Sequence, residues 1–560
     1  MPLKIVIICA SDSGGAGKAA YRQHRALVDK QVDSTMLVLH KETSDPTVKV
    51  MPGSYTEGVI TTALKFDPAE TAWKSAIKQW KTGVSDYSNR PAGFEQFSSP
   101  VSSVRLDLVK EFIEADIVHL HWMPGLLDYN HSARALQGKP VVWTLHDMNP
   151  FTGGCHYSAG CRRYEQSCGT CPQLGAEREA DLSQEGWRKR RELYQQLDLH
   201  VVVLSEWLGE LAQKSGLFAN VPLHHIPNSL NTEIYKPDSR GEFRKWLGVA
   251  ETERLVLFGS DSVKNLRKGF PYLVQALEIL SERQNYTNVT LGFFGRMKEE
   301  VRLPASFRVL PLGTIKDEQT LAGIYAAADV FVLPSLEDNL PNTLLESFAC
   351  GTPVVGFDIG GIPDVIEHKK TGYLAQPFAA ESITDGIEWV LSERENGRDF
   401  KAVCRKKVED DFSPEMQAQA LIDLYKGLVK PGLSGIEIKQ EVVMSYNNNS
   451  NGGFLLEQGD LPGAMLAFRK ALEKDMSDPD ALSGLAVSML RAGESDVALQ
   501  LLGQTLKNHP ENETVLRRAF EVFRNGDEWL PVEKHHLLYQ LFLVCSRKNQ
   551  VQNQPHPVLA

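Results

Sequence analysis

Short apolar runs rich in β-branched residues, each bounded by Gly, Pro or polar residues, recur through the first two thirds of the chain. They cover Lys4 to Ala10, residues 34–39, Asp116–Trp122, Val141–Asp147, residues 199–204, Leu255–Ser260, Val289–Gly295, Arg308–Gly313, Val330–Leu333 and part of Cys350–Phe357. Runs this short and continuous predict strands buried on both faces, as in parallel sheets. Helical stretches alternate with them. Leu273 to Ser281 is one, and Ser413-Pro414-Glu415 opens another with Ser at the N-cap, Pro in the first position and an acid in the first turn. The pattern predicts an α/β protein.

A polar linker from Ser445 to Gly453 ends this pattern, and a different period follows. Gly459 and Gly493, Ala464 and Ala498, and Phe468 and Leu502 are each 34 residues apart. That spacing resembles the tetratricopeptide repeat, with small residues where paired helices touch. Pro479 and Pro510 close units only 31 residues apart, and the third unit, around Ala519 to Gly526, is degenerate. So short an all-α array is expected to lean on the rest of the chain, on a protein partner or on a second copy in a homodimer.

At 560 residues the chain accommodates roughly three or four domains. A formal net charge of −11 argues against nucleic acid as the main partner. No apolar run approaches the ~18–20 residues of a membrane span, and Met1 to Ile8 leads into a strand without a signal-peptide cleavage site, so a cytoplasmic location is expected. One stretch qualifies this. Trp73, Ile77 and Trp80 share a helical face flanked by Lys74, Lys78 and Lys81. The segment 70–82 therefore reads either as a peripheral contact with the inner face of a membrane or as an amphipathic helix packed on its own domain.

Four of the eight cysteines, Cys155, Cys161, Cys168 and Cys171, fall in one window of 17 residues. Their spacing predicts a compact knuckle of thiolates for a structural zinc ion, with free thiols or a disulfide as the alternatives. A closed four-thiolate site has no open position, so it would brace a loop rather than catalyse.

The chemistry concentrates on Ala328 to Glu346. The strand Val330–Leu333 is stopped by Pro334, and a helix begins near Asn342, so the first-turn N–H groups of Asn342, Thr343 and Leu344 form a seat for a diphosphate. Asp338 and Glu346, eight residues apart, are placed to accept hydrogen bonds from sugar and ribose hydroxyls, or else to serve as a loop cap and a helix-surface acid. Further up the chain, His119 and His121 lie on one side of a strand, and His146-Asp147 ends another. Gly17-Lys18 is not a P-loop, because Ala19 replaces the required Ser or Thr.

Together with Cys350–Phe357 and Gly360–Asp364, the run from Asp338 resembles the donor-binding signature of the retaining, GT-B-fold glycosyltransferases of family 4, and the resemblance extends over residues 3–428. It implies two Rossmann-like domains facing a cleft: an acceptor-side domain, 1–228, carrying the cysteine knuckle, and a nucleotide-sugar domain, 229–412. A crossover helix (413–430), a linker (431–453), the repeats (454–548) and a tail (549–560) follow. The implied co-substrate is a nucleotide-diphosphate sugar, its hexose held by Asp338, its diphosphate by Lys268 and the helix start, its ribose by Glu346 and its base by backbone around Gly313. Gly14 and Gly15 match the family's glycine-rich loop, His121 the histidine near the transferring phosphate, and His146 and Asp147 the acceptor side. Asp338 stands where most members have Glu. Ser260 stands where many have Arg, so that either Lys264 or Arg267 takes its place or that contact is missing. Many relatives need no catalytic metal. The activity implied is hexosyl transfer to a saccharide or lipid-linked acceptor in surface polysaccharide or glycoconjugate assembly. The rivals are a phosphorylase or hydrolase on the same fold, and a non-enzymatic saccharide-binding scaffold built around the repeats.

Overall fold

The apolar runs become the strands of two parallel sheets. The structure, a computed structural model, describes residues 3–51, 87–429 and 449–524 apart from scattered positions within the last two ranges. The segment 70–82, Lys264, residues 431–448, Gly459, Gly493 and the tail from 549 lie outside the described residues.

Strands β1 (Lys4–Ser11), β2 (Asp33–His40), β3 (Val48–Val50), β4 (Ile117–Leu120), β5 (Pro140–Leu145), β6 (Asp198–Val203) and β7 (Leu223–His225) form one sheet in the order β3-β2-β1-β4-β5-β6-β7. Every pairing in it is parallel. Strand order reverses between β1 and β4, which opens a crevice beyond their C-terminal ends, where ligands bind in such sheets. Helix α1 (Gly14–Asp29) leaves β1 at this point, and His121 and His146 follow directly on β4 and β5.

The second sheet contains β8 (Arg254–Ser262), β9 (Val289–Arg296), β10 (Arg308–Gly313), β11 (Val330–Leu333), β12 (Val354–Phe357) and β13 (Gly372–Ala375), in the order β10-β9-β8-β11-β12-β13 and again all parallel. Its reversal lies between β8 and β11. Asn265 to Lys268 and Pro334 to Pro341 leave the sheet there, and helix α2 (Asn342–Ala349) starts at the end of the second loop.

Helix α3 (Pro414–Leu428) explains how a late segment serves the first sheet. Ser413 caps it by accepting from the Met416 N–H, and Pro414 occupies its first turn. Its inner face, Ala418, Leu421 and Tyr425, is fully buried in one cluster with Ile5 and Ile7 of β1 and Ala20 and Leu27 of α1. Burying a side chain such as Leu421 contributes ~1.5–3 kcal/mol.

The C-terminal unit consists of α4 (Asn449–Glu457), α5 (Leu461–Lys474), α6 (Pro479–Arg491), α7 (Ser495–Asn508) and α8 (Glu513–Arg524). Asp460 and Asp478 cap α5 and α6. Ala464, Phe468, Ala498 and Leu502, the positions of the 34-residue period, are all fully buried in one core. No helix among the described residues is long and apolar enough to cross a membrane.

Candidate active site

The loops at the two crossover points face each other across a cavity of about 630 Å³. Gly14 and Gly15 line it from the first sheet, with His146 and Asp147; Arg267, Lys268, Asp338, Asn342 and Thr343 line it from the second.

On the second-sheet side the charges are arranged tightly. Asn265 accepts from the Arg267 N–H and so shapes a turn, which ends at Gly269 with φ +67°. A β-carbon there would lie 1.6 Å from the Pro334 carbonyl oxygen, so only glycine brings Arg267 and Lys268 this close to the β11 loop. Lys268 Nζ sits 2.6 Å from Asp338 Oδ2, Arg267 Nη1 3.2 Å from Asp338 Oδ1, and Ser335 donates to Asp338 Oδ2 at 3.0 Å. Burial raises the pKa of Asp338, but the Lys268 and Arg267 charges outweigh it and hold the carboxyl down at about 2. Two cations sharing one carboxylate leave a net positive charge beside a helix start. Pro341, the N-cap of α2, supplies no side-chain acceptor, so this helix start is suited to an anion.

Of the three first-turn residues expected at this seat, Asn342 and Thr343 line the cavity and Leu344 does not. The Leu344 N–H already donates to the Pro341 carbonyl, and its side chain is fully buried. Asn342 also ties the two sheets together, its Nδ2 donating to the Gly15 carbonyl at 3.0 Å. Asn339 does the same from the preceding loop, with Nδ2 to the Leu145 carbonyl at 3.0 Å and Oδ1 accepting from Ser205 at 2.7 Å.

The histidines form a chain that leads away from the cavity. His146 lines it, whereas His121 is 2% exposed and stands one layer behind. His121 Nδ1 is 2.9 Å from His146 Nε2, and the Gln23 amide nitrogen is 3.2 Å from both His121 Nε2 and His119 Nδ1. Tyr425 of α3 donates to His119 Nδ1 at 2.5 Å, and His119 Nε2 meets Thr144 at 2.7 Å. Burial pushes His119 down to about 3 and His146 to about 4, and takes His121 well below its ordinary value. All three are neutral at physiological pH. With Gln23 donating to Nε2, His121 carries its proton on Nδ1 and gives it to His146 Nε2; the donor left on His146 is then Nδ1–H. His121, expected beside the donor sugar or its transferring phosphate, is not part of the cavity wall in this structure. It orients His146, which occupies the cavity wall. Asp147 is similarly occupied, accepting from Trp122 Nε1 at 3.0 Å and from His156 Nδ1 at 2.6 Å.

Glu346 departs further from expectation. It is 5% exposed and is not part of the cavity wall; its Oε1 pairs with Arg22 Nη2 of α1 at 3.1 Å, and its Oε2 accepts from Tyr325 at 3.4 Å. The same Arg22 nitrogen reaches Glu318 at 2.9 Å. Gly313 is exposed and likewise lies off the cavity wall.

The four cysteines Cys155, Cys161, Cys168 and Cys171 border one small void of about 20 Å³, and all are free thiols. Burial raises Cys168 to about 12 and also raises Cys155 and Cys171. Among the described residues no group of three or more His, Cys, Asp or Glu is arranged to hold a metal ion. The zinc expectation is therefore not supported: the four thiols cluster around one small void without forming a metal-binding group.

Residues 13–234 match the family profile described as Glycosyltransferase Family 4, residues 253–393 that of Glycosyl transferases group 1, and residues 455–517 that of the tetratricopeptide repeat. The chain belongs to the group 1, family 4 glycosyltransferases. An uncharacterized glycosyltransferase of Methanocaldococcus jannaschii is 31% identical over 189 residues, 33% of this chain and 47% of that one. Alpha-maltose-1-phosphate synthase of Mycolicibacterium smegmatis is 24% identical over 357 residues, 58% of this chain and 82% of the relative. The chain thus spans about half the length of the Methanocaldococcus relative. Among solved structures, Anabaena HepE in complex with UDP and glucose superposes with a TM-score of 0.51 at 16% identity, covering 76% of this chain and all of that one. At that identity the likeness shows the GT-B fold alone.

Several residues that shape the cleft or the domain junction carry no local sequence signal. Arg22 and Asn339 act across domains, and Gln23 links two histidines within the first domain.

Proposed function

We propose that this glycosyltransferase moves a hexosyl group, with retention of configuration, from a nucleotide-diphosphate sugar to a saccharide or lipid-linked acceptor in surface polysaccharide or glycoconjugate assembly. The observation that carries the reading is the convergence of Lys268, Arg267 and the start of α2 on one cavity opposite the Gly14-Gly15 turn. The bond from the anomeric carbon to the β-phosphate oxygen breaks, and the acceptor oxygen bonds that carbon on the same face. The acceptor's proton passes to the departing phosphate. The protein contributes position and charge: Lys268, Arg267 and the N–H groups of Asn342 and Thr343 stabilise the phosphate as it leaves. Asp338, released from the cations by the incoming diphosphate, accepts from a hexose hydroxyl. His146 donates from the opposite wall. Glu346 reaches the ribose, and backbone near Gly313 reaches the base, once Arg22 exchanges its partner.

Calorimetric titration with UDP, GDP and ADP and their glucose and mannose conjugates, followed by a hydrolysis assay, tests this. Selective binding of one diphosphate with slow sugar release is the expected result. Absence of binding by all of them to folded protein would leave the scaffold reading, centred on the repeats.

A further inference from the structure

A second and larger cavity, about 1060 Å³, lies beyond Arg267 and is lined by both Rossmann-like domains. Its size is at the upper end of the ~300–1,000 Å³ usual for small-molecule sites. We propose that it binds the saccharide end of the acceptor, an assignment that rests on the transferase reading above.

Three observations support this. The two cavities share a wall: Arg267 and Tyr157 line both, the guanidinium lying 3.9 Å from the centre of the Tyr157 ring. A group bound on one side therefore meets a group bound on the other across a single stacked pair. The floor is also continuous, since the Gly361 N–H donates to the Asp338 carbonyl and so ties the Asp358–Gly360 loop of the larger cavity to a donor-site residue.

The second observation is the aromatic lining. Tyr164 stands on the cysteine-rich loop, Trp207 on the helix Glu206–Lys214, and Phe378 follows β13. Phe378 is 55% exposed and has a φ of +61°, so the chain holds a large apolar ring toward open space in a backbone conformation unfavourable for it. Flat apolar faces of this kind stack on the C–H faces of pyranose rings.

The third is the polar complement. Arg162, Lys214 and Asp358 ring the same space, and Glu337, whose pKa burial raises, is held by the Ala159 N–H at 3.0 Å. An acyl chain would strip water from these groups and return no hydrogen bonds, whereas sugar hydroxyls pair with both signs of charge. The cysteine-rich loop then has a role without metal: it carries Tyr157 to the boundary between donor and acceptor and Tyr164 to the wall of the larger cavity.

Saturation-transfer NMR on the full-length protein with glucose, mannose, N-acetylglucosamine, cellobiose and maltose tests the assignment, with nucleotide titrations run in parallel. At least one sugar is expected to receive saturation. Trp207→Ala and Phe378→Ala, one from each domain, are expected to weaken it by roughly tenfold or more while nucleotide affinity stays within about twofold. Nucleotide binding with no saturation of any sugar, or sugar binding unmoved by both substitutions, overturns the inference and leaves the transferase reading intact. Absence of nucleotide binding overturns that reading instead, and a sugar signal sensitive to both substitutions still supports a saccharide site in this cavity.

Discussion

Arg22 of the first sheet's leading helix and Glu346 of the second domain's phosphate-seat helix form an interdomain ion pair at 3.1 Å, both largely buried. The arginine also serves Glu318, so one guanidinium holds two carboxylates across the domain junction. Removing one partner of a buried pair strands the other charge, at a cost of about 3–5 kcal/mol. Arg22→Ala is therefore expected to lower the thermal unfolding midpoint by several degrees. A midpoint unchanged from that of the parent protein would mean that the pair is solvated in solution and the junction open.

Lys268 lies on the cavity wall with its Nζ 2.6 Å from Asp338. Asp338 keeps Arg267 and Ser335 as partners when Lys268 is removed, so its buried carboxylate is not stranded. Lys268→Ala is expected to cut sugar transfer or donor hydrolysis on the order of a hundredfold or more, with an unaltered circular dichroism spectrum. Near-normal turnover in that folded variant would remove Lys268 from the diphosphate site.

The buried histidines make a pH prediction with a definite sign. His24 and His146 are lowered to about 4 and His119 to about 3, each chiefly by burial. Above ~6.5 they are neutral whether folded or unfolded, and stability does not depend on them. As pH falls from ~6.5 toward about 4, the unfolded chain takes up protons that the folded chain refuses. Stability is lost in that window, by ~1.4 kcal/mol per pH unit for each histidine. Unfolding midpoints measured between about pH 7.5 and 4.5 should fall steeply, before most carboxylates titrate. A flat profile would show that the chain of histidines is open to water.

In the repeat unit, Gly484 of α6 faces the ring of Phe468 of α5, and an added β-carbon would lie 2.3 Å from it. Phe468 is fully buried, so the ring has little room to yield. Gly484→Ala should destabilise the repeats by ~1–3 kcal/mol. Limited proteolysis would then release fragments cut beyond residue 449 sooner, with the transferase portion as resistant as before. Equal resistance of the repeats in the variant and the parent would contradict the packing described for α5 and α6.

Much of the architecture was legible in the sequence because the signals are local. A run such as Val330–Leu333 is too short and apolar to be anything but a buried strand, Pro334 stops it, and the helix start at Asn342 follows from the chain itself. The 34-residue spacing of Ala464 with Ala498 and Phe468 with Leu502 carried the repeats in the same way. Asp338 and His146 were legible as cleft residues because they follow strand ends, which converge in parallel sheets, while Lys268 and Arg267 were pointed to by the family resemblance.

Tertiary structure alone decided what those residues touch. Glu346, expected at a ribose, is held in this structure by Arg22, more than 300 positions away in sequence, and His121, expected at the donor sugar or its phosphate, stands behind His146, supported through Gln23 and His119 by Tyr425. The four cysteines are close in sequence, but only the packing of their loop brings them around one void, with Cys168 and Cys171 buried. Sequence patterns determine which face of an element is apolar and where its ends lie. Which carboxylate meets which cation depends on how two domains dock, and docking brings together groups that no local spacing relates.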